Sequence, residues 1–174
     1  MPRHKFVLPI LALVIPIAAI GQGVIDFSGT WKMDVTRSES AHQAVPIGPV
    51  TLIIKQTATE VSMQTRHAEA KKSATRNEIL TYKLDGSEST VTLADGSPIK
   101  CRAHWEGTKL ITGTTRNIQG ATITTLYVHS LDPSRNELTV HKTLTVEHGY
   151  QFEGAKSYGT GTDVFVRTKV ATAK

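Results

Sequence analysis

The side chains able to carry chemistry are few and scattered. Beyond residue 21 the histidines are His42, His67, His104, His129, His141 and His148. No two stand at His-x-His or i, i+4 spacing, so no metal site is expected, and neither is haem. His129 and His141 flank the Asp132-Pro133 turn and could face each other across a hairpin. Strand parity, with Leu126, Val128, Leu138 and Val140 inward, sends both toward solvent. No Gly-x-Ser-x-Gly sets up a serine nucleophile, and the carboxylates lie mostly at turns rather than in pairs. Cys101, the single cysteine, shares an apolar face with Ile99 and Ala103, where it behaves as a small hydrophobe. It cannot form an internal disulfide, so the fold must stand on packing. These absences exclude the common catalytic constellations; no catalytic residue and no cofactor are expected.

The elements that carry these residues read as strands. Thr, Val and Ile are frequent, turn residues recur at short intervals, and no long helical period is present. The first strand spans about residues 28–35, with Trp31, Met33 and Val35 on one face. Strands follow at about 50–56, 61–67, 77–84, 88–93, 99–105, 110–117, 121–131, 137–147 and 163–169. Across 99–105 the alternation has no exception: Ile99, Cys101, Ala103 and Trp105 face one way, Lys100, Arg102 and His104 the other. Asp85-Gly86 and Asp95-Gly96 are hairpin signals, since type I′ turns need positive φ at both central positions. Pro46, Gly48 and Pro49 disfavour a helix in the loop 36–49, and residues 68–75 read as a loop or one helical turn. Tight turns make neighbours in sequence antiparallel neighbours in space. The expected fold is therefore all-β: an antiparallel up-and-down meander closed into a small barrel of eight to ten strands. The alternative is a β-sandwich, whose crossovers would have to be residues 36–49 and 149–162.

The ends of the chain add a compartment. Arg3, His4 and Lys5 precede an apolar run from Phe6 to Ile20 and then small residues, the order of a secretory signal peptide. Cleavage is expected after Gly21, with Gly23 as second choice. The run is shorter than the ~20 residues of a membrane span and holds Pro9 and Pro16. No cysteine near the cut provides a lipid anchor. Residues 1–21 are thus read as a signal, 22–170 as one barrel domain and 171–174 as a frayed tail. Removing the signal lowers the formal charge from +5 to +3. That mild, dispersed excess speaks for solubility and against a nucleic-acid partner.

Gly29-Thr30-Trp31 is a Gly-x-Trp in the first strand of a meander. It resembles the lipocalin and fatty-acid-binding-protein superfamily, in which that Trp closes one end of a calycin barrel. The stretch Asp26 to Asp34 is more closely similar to lipocalin-like secreted proteins of bacteria. Ala103 to Leu110, Arg116 to Gly120 and Leu138-Thr139-Val140 share this likeness. It implies the compartment and the fold, and no activity. Two features depart from the fatty-acid binders. The loop 36–49 is too short for their two-helix lid. Asp163-Val164-Phe165 stands where their Arg-x-Tyr grips a carboxylate, and it lacks both the cation and the hydroxyl.

A barrel of this size is either filled by side chains or holds one small ligand. Trp31, Met33, Met63, Tyr82, Trp105 and Val140 are expected to line the interior. Arg116 shares parity with Leu110, Thr112 and Thr114 and is expected to point into or across the mouth, where it could pair with a ligand carboxylate. The leading expectation is an exported protein that binds a small, largely apolar molecule. The alternative is a non-catalytic envelope or extracellular interaction module with a filled core. No protein partner is specified.

Overall fold

The computed structural model describes residues 25–68, 77–149 and 154–168. The expected signal peptide, its cleavage points, the tail 171–174 and most of the loop 68–75 lie outside these residues. Ten strands form one antiparallel sheet: β1 (Gly29–Met33), β2 (Val50–Gln56), β3 (Glu60–His67), β4 (Asn77–Lys83), β5 (Ser89–Thr92), β6 (Pro98–Glu106), β7 (Lys109–Ile118), β8 (Ala121–Leu131), β9 (Glu137–Glu147) and β10 (Lys156–Arg167). The order is β4-β3-β2-β1-β10-β9-β8-β7-β6-β5. The up-and-down meander wraps into a nearly closed barrel because β1 pairs with β10, Trp31 opposite Arg167 and Met33 opposite Phe165. Among the described residues the only helical piece is a 3-10 turn, Glu39–His42, in the loop expected to hold no helix.

Three local expectations are corrected. First, β4 and β5 follow one another through Asp85-Gly86, yet they form the two edges of the sheet rather than a paired hairpin. One side-chain bond, Ser89 Oγ to the Thr81 carbonyl at 3.0 Å, crosses this seam. Second, only the glycines of the Asp-Gly turns have positive φ, +83° at Gly86 and +82° at Gly96. Asp85 and Asp95 instead accept the amides of Ser87 and Ser97, at 2.8 and 2.9 Å, in side-chain-stabilised turns. The turn with two positive φ values is Gln119-Gly120, +49° and +81°. Third, the last strand begins at Lys156 rather than near Asp163. The eleven residues of β9 offer a ladder that Gly159 and Gly161 join opposite Leu144 and Lys142.

Inward side chains divide the interior into two layers. At one end Phe27, Trp31, Ile54, Val61, Leu110 and Leu138 are buried and packed together, with Cys101 and Ala103 beside them. The segment before β1 crosses beneath this end. Gln56 holds it by accepting the Phe27 amide at 3.1 Å and donating to the Ile25 carbonyl at 2.8 Å. Trp31 Nε1 donates to the Phe27 carbonyl at 3.0 Å, and the Arg167 guanidinium lies 4.1 Å from the centre of the indole. Arg167 also donates to the carbonyls of Ser28 and Arg135, at 2.7 and 2.8 Å. Gly29 must be glycine here: its φ is +149°, and a Cβ would lie 2.5 Å from the Arg167 Nη1.

Candidate functional site

Above this packed layer the barrel is hollow. A cavity of about 300 Å³ lies between it and the loop that carries the 3-10 turn. That volume is at the small end of natural ligand sites. Its apolar wall comes from Met33, Leu52, Met63, Leu80, Val140 and Phe165, with Ile47 and Val50 under the loop.

The loop is tied down by polar side chains. The Ser38 hydroxyl donates to the Val164 carbonyl at 3.2 Å and accepts the Val164 amide at 3.0 Å. Ser40, also buried, gives its amide and hydroxyl to the two Asp163 carboxylate oxygens at 3.0 and 2.6 Å. Glu39 accepts the Thr162 amide at 3.1 Å. Lys142 Nζ approaches the Ser40 hydroxyl at 3.5 Å. Ser40, Lys142 and Asp163 line the cavity from above, as do His67 and Glu78.

Deeper in the wall stand Tyr82, Thr112 and His129, each exposed to 3% or less. Thr112 Oγ1 and His129 Nε2 are 3.0 Å apart. His129 Nδ1 is buried and has no hydrogen-bond partner among the described residues. Burial lowers the His129 pKa to about 4, so the imidazole is neutral near pH 7. Burial likewise holds the Tyr82 and Tyr127 phenols above their ordinary value. The deep wall is therefore polar and uncharged. Cys101, in the packed layer, has its thiol pushed up to about 11, chiefly by burial and then by the charge of Glu78.

The expected site residues fall into two groups. Met33, Met63 and Tyr82 line the cavity, as does Val140. Trp31, Trp105 and Arg116 are outside the lining. Trp31 is fully buried in the packed layer, and Trp105 packs against Phe27 with ring centres 5.9 Å apart. Arg116 is half-buried on β7, and its charge acts on Asp95 and Tyr127.

The outward placement of His129 is corrected: it faces inward, while Leu126 is 46% exposed. The parity of β8 runs through Thr125, Tyr127, His129 and Leu131, not through Leu126 and Val128. Leu131 lies directly opposite Leu138, which is buried. Cross-strand partners share a face, so Leu131 would have given the right parity. Leu126 lies instead on the outer wall, across from Gly113 and near Ile111, Arg102 and His104. His141 does reach the outside, where Nδ1 meets Thr162 Oγ1 at 2.9 Å. The two histidines are not opposed, since His129 pairs with Val140 and His141 with Val128. Among the described residues no cluster of three His, Cys, Asp or Glu side chains is placed to hold a metal.

No protein-family model matches the chain, and no curated protein does. Solved structures do. A secretory abundant heat soluble protein from Ramazzottius varieornatus superposes with a TM-score of 0.54 at 15% identity, over 81% of this chain and 94% of its own. Lipid binding protein 8 from Caenorhabditis elegans gives 0.52 at 14% identity, over 82% and 95%. The REP1-NXSQ fatty acid transporter gives 0.51 at 17% identity, over 83% and 98%. At such identities the likeness is one of architecture, and the architecture is that of a calycin-type barrel.

Proposed function

We propose that this chain is an exported binding protein whose barrel holds a small, largely apolar molecule. The observation that carries the reading is the cavity of about 300 Å³ between the packed layer and the tethered loop. An apolar wall with a few placed polar groups is the usual make-up of a small-molecule site. Two of the structural neighbours are called a lipid binding protein and a fatty acid transporter, which agrees with that use of the fold. The hollow counts against the filled-core interaction module. The basic, apolar and then small-residue order of the segment 1–21 is what supports export. The role is binding, with no bond made or broken.

Native mass spectrometry of the protein purified from its own host tests the ligand. A bound small molecule that dissociates on activation in the gas phase is expected. A protein that stays at its bare mass, and takes up no apolar compound from a panel, would reject the reading. Export is checked separately by sequencing the N-terminus of the protein recovered outside the cytoplasm, with Gln22 or Val24 expected first.

A further inference from the structure

We infer that the cavity takes an uncharged apolar molecule with one hydroxyl or carbonyl group and turns carboxylates away. This rests on the reading of the barrel as a ligand holder and specifies its cargo.

The deep wall offers hydrogen bonds and no cation. Tyr82, Thr112 and His129 are its buried polar groups, with Thr112 and His129 joined at 3.0 Å, and the half-buried hydroxyls of Thr65 and Tyr127 add to the lining. A hydroxyl or carbonyl reaching this wall exchanges hydrogen bonds with neutral partners. A carboxylate there would be a buried charge without a counter-charge, among the costliest arrangements in a protein interior.

The mouth offers no refuge for an anion either. Lys142 brings one fixed positive charge to the lining, against two negative ones on Glu78 and Asp163, and His67 is the other titratable side chain at this end. The Lys142 ammonium leans on the Ser40 hydroxyl, which is itself bound to Asp163. The charge of Glu78 is felt across the interior, at Tyr82, Tyr127 and Cys101. Arg116 stands outside the lining, where its charge falls on Asp95 and Tyr127.

The cavity equals about ten water volumes, which suits a medium-length chain. The test is calorimetric titration of the purified protein with decan-1-ol, decanoate and decylammonium at about pH 8.5, above the range in which imidazoles ordinarily titrate. Decan-1-ol is expected to bind about tenfold or more tighter than decanoate. Glu78→Gln is expected to raise the affinity for decanoate roughly threefold, because it removes one of the two opposing charges. Decanoate binding as tightly as the alcohol would overturn the inference while leaving the ligand-holding role intact. Decylammonium binding tighter than the alcohol would also overturn it, in favour of a cationic cargo. If none of the three binds, the binding role falls, and the inference with it.

Discussion

The two ends of this barrel are made from the same alternation and end differently. At the lower end every inward position meets a partner. Trp31, Phe27, Leu110 and Leu138 are fully buried, and Arg167 locks the indole from outside. At the upper end Phe165, Tyr82 and Tyr127 stand among thinner or polar side chains, Met33, Met63, Thr112, His129 and Val140, and leave a gap between them. The wall is continuous, but its side chains do not meet in the middle. Void space in a barrel is thus set by side-chain volume on a few rungs, not by strand count alone.

The contrast can be broken in order of size. Trp31→Ala should cost on the order of 3–5 kcal/mol, as for other buried tryptophans, while Met63→Ala at the cavity wall should cost about 2 kcal/mol. Urea unfolding followed by circular dichroism measures both, and equal costs would mean that the two ends are equally packed. The buried imidazole gives the next largest effect. The folded His129 pKa of about 4 lies below the ordinary 6.5, so the unfolded chain takes up this proton first. Stability is then full above pH 6.5 and falls as the pH drops toward 4, by about 3 kcal/mol at the 1.36 kcal/mol per pH unit of linkage. In His129→Phe that slope should vanish; a slope that persists would place its source elsewhere.

Filling tests the void directly. Ala103→Leu in the packed layer should cost about 1–3 kcal/mol by overpacking. Val140→Phe should be accepted for under about 1 kcal/mol and should block ligand uptake, because the ring enters empty space. The last test concerns the lock. Arg167→Gln loses the stacked cation and its bonds to Ser28 and Arg135, for about 1–2 kcal/mol. A matched loss in Arg167→Lys would show that the planar fork matters more than the charge.

Much of the architecture is legible from alternation. Strand β6 reads correctly because its two faces differ at every position, and that places Cys101 and Ala103 in the core. Strand β8 does not, because its outer face carries Leu126 and Val128 while its inner face carries His129. Hydrophobicity then points the wrong way, and the register with Leu138 decides. The seam after Asp85-Gly86 is hidden for another reason. A turn motif fixes the local chain direction, whereas pairing across it depends on the curvature of the whole sheet. The cavity's upper lining comes from Ser40, Lys142 and Asp163, which only the closed barrel brings together. No spacing within one strand announces them.

The closure by β1 and β10 also dictates when the molecule can finish folding. Trp31 meets Arg167 more than a hundred residues later in the chain, so the first strand has no partner on one side until the last has been made. Contacts of such long range are slow to form, because the intervening chain must be ordered first. The indole sits at this joint, and its shielding therefore marks the final step of assembly. A chain cut short before β10 would leave two further edges unpaired and Trp31 without its guanidinium cover.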